Sequence, residues 1–258
     1  MTISNQEILR MLEYHNNPIT ELSAVIQHSQ EKIKYIMEKE SLSKPKDLIT
    51  IARDFEELLN LNENQLNLRY LSKKYPDFKF SIRGVGIHAT LSAYTGNTVA
   101  EFPPGLKDLS ISDCENLERV PKLPAGLEEL EIVNCENLET LAELSSSLER
   151  LVIEKCQKLT SLPSLPPSLE VLFLDCENIE SIAELPEGLK VLHFKWCHKL
   201  KTIPKFPSSL YRIGFHFCKT LTNIPEFPPG LEILSIISCP NLNQKTLDRI
   251  EEFNKKQS

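Results

Sequence analysis

Seven thiols are the first residues of this 258-residue chain whose spacing invites a chemical reading. Cys114, Cys135, Cys156, Cys176, Cys197, Cys218 and Cys239 are all of its cysteines, and they follow one another at intervals of 21, 21, 20, 21, 21 and 21 residues. Thiols ligate zinc, form disulfides or act as nucleophiles, and each use has its own spacing. A structural zinc site calls for C-x-x-C pairs, which are missing here. A disulfide framework calls for an even number of cysteines in an exported chain. Seven is odd, and the N-terminus, Met1-Thr2-Ile3-Ser4-Asn5-Gln6-Glu7, has no basic-then-apolar leader. The regular interval places every thiol at the same inward corner of a repeated coil, where it can donate weakly to a backbone carbonyl of the next coil. The expectation is a reduced, buried ladder with no metal and no cofactor.

A second group has the chemistry of contact rather than reaction. Phe173, His193, Lys195, Trp196, Tyr211, Arg212, His216 and Phe217 gather aromatic, imidazole and cationic side chains within three successive cysteine intervals. Such side chains anchor protein interfaces. Glu128, Glu129 and Glu131 form an acidic counterpart earlier in the chain. His193 and His216 stand one interval apart and lack an obvious third ligand for a metal, so they read as contact residues that titrate near neutrality. Trp196 and Phe217 fall at a strand end, where packing sideways between coils is the competing reading. No nucleophile elbow, phosphate loop, H-E-x-x-H helix or cleft with paired carboxylates is present, so no catalytic residue is assigned and enzyme activity is not expected.

What must position these residues is the repeat itself. From Leu106 to Leu242 the chain writes L-x-x-L-x-[I/L/F]-x-x-C-x-x-[L/I]-x-x-[V/L/I]-[P/A]-x-[L/F]-[P/S]-x-[G/S] seven times. A period in the twenties built on L-x-x-L-x-L is the leucine-rich-repeat pattern, in which coils gain stability by stacking. Leu127, Leu130 and Ile132 should point inward, with the residues between them outward along a short strand. The fold class expected is an α+β solenoid, a leucine-rich-repeat horseshoe with a parallel concave sheet, preceded by a small N-terminal helical bundle. The returning segments, such as Val120-Pro121-Lys122-Leu123-Pro124, are too short and proline-rich for helices and should run extended. The fourth copy, Leu169 to Cys176, lacks one residue between strand and cysteine, which tightens one corner.

The L-P-x-L-P-x-x-L spacing resembles the LPX-type leucine-rich-repeat effectors that bacterial pathogens inject into host cells, of the YopM and IpaH kind. The likeness covers roughly residues 99 to 242. Two features depart from it. Cysteine stands where those proteins carry Asn, giving a C-x-N-L variant similar to the repeats of plant intracellular receptors. The ubiquitin-ligase domain that follows the repeats in the IpaH kind has no counterpart in the 19 residues after Cys239. The resemblance implies helices before the repeats and a host protein as partner; it does not carry over ligase activity.

Four segments follow: residues 1–78 as a helical domain or cap, 79–105 as a degenerate first repeat, 106–242 as the seven repeats, and 243–258 as a closing helix. Ser4 and Glu7 make a capping box before the first helix. Asn17-Pro18 and Pro45 open the second and third, and Leu66, Leu68 and Leu71 mark a short fourth. Phe78, Phe80 and Ile82 alternate as a strand. Within 85–105, Val99, Phe102 and Pro103 fall in register with Val120, Leu123 and Pro124, which puts Ala93 in the cysteine place. Leu247, Ile250 and Phe253 should cover the last coil.

Charge divides along the repeats. Residues 101–187 hold 6 Lys and Arg against 19 Asp and Glu, whereas residues 188–258 hold 11 against 5. A split of that size steers and orients a charged partner, though ordinary solvation of loops also uses glutamate. Residues 1–83 carry 12 of each sign, which argues against a DNA-binding bundle, and the acidic stretch would repel a long polyanion. No run of about 18 apolar residues suggests a membrane span. The sequence therefore reads as a monomeric, non-catalytic, protein-binding repeat protein. The expectation is a secreted bacterial effector, reaching the host cytoplasm without a cleaved signal peptide and otherwise cytoplasmic, with a role in virulence. The alternatives are an adaptor whose helical domain recruits a second machine such as a ubiquitin ligase, and an endogenous intracellular scaffold.

Overall fold

The computed structural model describes residues 71–83 and 86–257, together with residue 68. The chain divides into two compact units, Met1–Lys74 and Tyr75–Ser258. The first three expected helices lie outside the described residues. Of the fourth, residues 71–74 are helical.

The second unit is a solenoid. Strands β1 (Phe78–Arg83) and β2 (Gly86–Ser92) form an antiparallel hairpin that closes one end. Seven strands, one per copy of the repeat, then stack in parallel: β3 (Leu106–Ser112), β5 (Glu129–Val133), β7 (Arg150–Glu154), β8 (Val171–Asp175), β9 (Val191–Lys195), β10 (Arg212–His216) and β11 (Ile233–Ile237). The resulting nine-stranded sheet keeps strict sequence order. Two-residue strands β4 (Arg119–Val120) and β6 (Thr140–Leu141) pair on the return side, where the proline-rich segments run without helix. Helix α1 (Gln244–Gln257) ends the chain.

The repeat explains each coil. Leu127, Leu130 and Ile132 are buried, as are the corresponding residues Leu148, Leu151 and Ile153 of the next coil. A single coil cannot cover these side chains, whereas the stack removes them from water at about 2 kcal/mol each. The thiols are buried and free. Five of them donate backwards rather than forwards, as where Cys197 Sγ reaches Leu174 O at 3.8 Å and Cys239 Sγ reaches Phe215 O at 3.4 Å on the preceding coil, whereas Cys135 and Cys156 reach carbonyls of their own coil. Asparagines one coil apart repeat the device, with Asn116 Nδ2 on Thr95 O and Asn241 Nδ2 on Lys219 O.

The residue before each cysteine turns the corner in the left-handed region: Asp113, Asn134, Lys155, Trp196, Phe217 and Ser238 have φ between 52° and 58°. The shortened fourth copy omits this residue, so Asp175 passes directly into Cys176. Ala93 also has a positive φ of 52°, and its N–H reaches Ser112 O as that of Asp113 reaches Val133 O. Ala93 is therefore the corner residue of the degenerate coil, and Tyr94 takes the cysteine place. Thr98 pairs with Arg119, so Val99 keeps its expected register with Val120.

Asn243 Oδ1 caps α1 by accepting the Thr246 N–H at 2.9 Å. Fully buried Thr246 bonds Asn223, and Phe253 meets Phe227 edge-on at 6.0 Å, so the helix packs on the return side of the last coil. Leu247 stays 40% exposed, contrary to its expected place over the coil end. Among the described residues no helix is long and apolar enough to cross a membrane.

Candidate functional site

The parallel register arranges the outward residues of the sheet into three rows. The first runs Asp108, Glu129, Arg150, Val171, Val191, Arg212, Ile233; the middle Ser110, Glu131, Val152, Phe173, His193, Gly214, Ser235; the third Ser112, Val133, Glu154, Asp175, Lys195, His216, Ile237. Their chemistry changes along the solenoid from acidic through apolar to imidazole and cation, and ends on isoleucine.

At the centre, Phe173 and His193 lie 4.8 Å apart between ring centroids, and His193 meets His216 at 4.5 Å in an edge-to-face contact. Gly214 makes this run possible. A Cβ at that position would sit 3.2 Å from the His193 ring, so glycine lets the imidazole lean over the next strand toward His216. His216 Nε2 is 2.8 Å from Ser235 Oγ, while the buried Nε2 of His193 has no partner among the described residues. Burial, followed by His216, Arg212 and Lys195, lowers the His193 pKa to about 4; burial and Lys195 lower that of His216 as well. Both rings are thus neutral near pH 7 and present an uncharged surface beside two cations.

The eight expected contact residues do not form one patch. Phe173, His193 and His216 make the central run. Lys195 is engaged by buried Asp175, with Nζ 3.4 Å from Oδ2. Trp196 and Phe217 stack on each other at 4.3 Å, and Trp196 also meets His198 edge-on. Tyr211 and Arg212 stand at the opposite rim, exposed, roughly 20 Å from Phe217 by strand geometry. The packing of Trp196 and Phe217 is therefore sideways between coils, while both stay partly exposed at the strand ends.

The acidic group is less bare than its sequence. Glu128 is held by Lys107, Glu129 lies between Asp108 and Arg150, and Glu131 is exposed beside them. His88 and Arg83 line the same hollow, with His88 Nδ1 4.0 Å from Asp108 Oδ2. Two residues missed from the sequence belong to the other end: Ile233 and Ile237, 43% and 44% exposed. The signal was present, since the strand Ile-Leu-Ser-Ile-Ile breaks the outward-polar alternation.

Together the repeat, the parallel sheet and the buried leucine ladder define a leucine-rich-repeat-like solenoid. No family model matches the chain, and no curated protein sequence does. Among solved structures the chain is similar to YopM from Yersinia enterocolitica WA-314, with 23% identity over 74% of this chain and 55% of that one, at a TM-score of 0.27. The chain spans about half the length of that protein.

Proposed function

We propose that this chain is a non-catalytic binding protein that holds another protein on its concave face, and that it works as a bacterial effector inside a host cell. The observation that carries the binding reading is the run Phe173, His193 and His216, two ring contacts below 5 Å on three successive strands, flanked by exposed Tyr211 and Arg212. A rigid sheet that displays aromatic and neutral imidazole surface beside cations supplies contact area at small entropic cost. The effector reading draws on the L-P-x-L-P repeats and goes no further than their resemblance. The charge split between residues 101–187 and 188–258 orients the partner, which presents acidic residues toward the later coils.

The test is retention of proteins from eukaryotic lysate by the wild type and by a Phe173→Ala/His193→Ala/His216→Ala variant with unchanged circular dichroism, followed by reassembly from purified components. A partner held by the wild type and lost by the variant supports the reading. A partner held equally by both removes the concave run from it.

A further inference from the structure

In the hollow at the start of the sheet, charges of both signs meet without pairing. Register sets His88, Asp108, Glu129 and Arg150 side by side on four successive strands, about 4.8 Å apart, with Ser110 and Glu131 one outward step along. Arg83, the last residue of β1, lines the hollow with them. Three carboxylates and two guanidiniums thus share about 280 Å³ of space, its mouth included. Among the described residues, no carboxylate there pairs with either arginine, and the nearest ionic neighbour of Asp108 is His88.

His88 is a different case from the exposed charges around it. It is only 7% exposed, and its Nε2 is 3.1 Å from Thr90 Oγ1. With the Nε2–H donated there, Nδ1 is an acceptor, and it is buried with no hydrogen-bond partner among the described residues. A buried acceptor left unpaired is destabilising. Burial, and then Arg83, lower the His88 pKa against the pull of Asp108, so the ring is neutral near pH 7. Asp108 Oδ2 stands 4.0 Å from Nδ1, too far for a direct bond. Two acceptors at that separation are spanned by one donor nitrogen about 2.8 Å from each.

The donor that suits this gap is an ammonium. Asp108, Glu129 and Glu131 favour a cation there over a neutral donor, and among the described residues no three His, Cys, Asp or Glu converge as ligands for a metal ion. A cation alone would leave the guanidiniums unmet. Arg83, close enough to His88 to act on its ring, is matched by a carboxylate carried on the same molecule. We infer that this hollow binds a free α-amino acid, its ammonium bridging His88 and Asp108 and its carboxylate on Arg83, with Glu129, Glu131 and Arg150 around its side chain. About 280 Å³, at the ~30 Å³ that a water molecule takes in the liquid, suits a ligand of roughly nine non-hydrogen atoms. The site is separate from the ring run of Phe173, His193 and His216, and neither depends on the other.

The test reads the His88 imidazole directly. In the full chain its resonances should shift saturably with at least one of the common amino acids at millimolar concentration. Methylamine and acetate, each carrying one of the two charges, should bind at least about tenfold more weakly. Asp108→Asn and Arg83→Gln should each weaken amino-acid binding by about tenfold or more with circular dichroism unchanged, and Phe173→Ala should leave it as it was. Where Asp108→Asn does not fold, Arg83→Gln carries the test, because that side chain is exposed. Methylamine binding as tightly as the amino acid would assign the hollow to a cation alone, such as a lysine of another protein, and overturn the inference; equal binding of acetate would overturn it likewise. His88 resonances unmoved by every amino acid, or moved equally in Arg83→Gln, would show that the hollow is ordinary solvated surface.

Discussion

The indole of Trp196 lies 4.3 Å from the Phe217 ring and 7° from parallel, and both residues hold left-handed backbone, with φ of 54° and 58°. Bulky residues are outliers in that region, where Asn, Asp and Gly are favoured. Elsewhere the same corner is filled by Asp113, Asn134, Lys155 and Ser238. Two neighbouring corners thus carry backbone strain that a small polar residue would relieve, and strain of this kind collects at functional surfaces.

Trp196→Asn separates the two uses of the ring. The corner relaxes and the stack, worth about 0.5–1.5 kcal/mol, is lost, so the change in stability should stay within about 1 kcal/mol by urea denaturation. Partner retention should fall at the same time. A loss of stability above about 2 kcal/mol would instead show that the stack serves the core.

Gly214→Val probes the central run. Its backbone is ordinary strand, so valine suits the conformation, but a Cβ would stand 3.2 Å from the His193 ring. The imidazole must give way by at least a few tenths of an ångström. The cooperative unfolding transition should survive, the imidazole resonances of both histidines should shift, and partner affinity should drop by about tenfold, or 1.4 kcal/mol. Unchanged affinity with shifted resonances would mean the partner does not read this run.

Most of the solenoid was legible because the cysteines mark the same place in seven coils. That fixed which residues face inward, and Leu127, Leu130 and Ile132 are buried accordingly. Where the marker fails, the reading slips by one: the degenerate coil pairs Ser92 with Ser112, an offset of 20, so Ala93 turns the corner rather than filling the thiol place. The outward placement of Ile233 and Ile237 was legible from the alternation of their own strand, but the extent of their exposure was not, since it depends on what packs beside β11. Nor was the scatter of the eight contact residues, because Tyr211 and Arg212 enter β10 at one end and His216 and Phe217 leave it at the other. Leu247 kept the helical period but faces away, as α1 docks through Thr246, Arg249 and Phe253.

The thiol ladder should be silent in the native state because all seven thiols are buried. A hydrogen bond donated by the Cys218 thiol to Cys197, together with burial, raises its pKa to about 12, and donation to Cys218 and burial raise that of Cys239 too. Reactive thiolate is therefore scarce at these two positions near neutral pH. Alkylation at pH 8 should label fewer than about one thiol per native chain and all seven after denaturation, in step with global unfolding. Cys156→Ser, which buries a stronger polar group, should cost about 1–3 kcal/mol. Rapid labelling of the folded chain would show the coils opening individually.

Acid should act on folding and on binding with opposite signs. His193, lowered by burial and then by His216, Arg212 and Lys195, keeps its native pKa near 4, whereas in the unfolded chain it has its ordinary value of 6.5. Above 6.5 neither state binds the proton and the full stability is present; between 6.5 and 4 the unfolded chain takes a proton that the native one refuses, so stability falls as pH falls. His216, lowered by burial and Lys195, contributes in the same direction. An acidic partner seated on the rings reverses the preference at the interface, since its carboxylates favour imidazolium and its affinity should rise over the same window. Urea titrations and binding measured at pH 7.5 and pH 5 should therefore diverge in the wild type, and His193→Gln should reduce both slopes. A variant that keeps the wild-type slopes would place the pH response on other groups, and a wild type whose affinity falls with its stability would mean that the partner brings no carboxylate to His193.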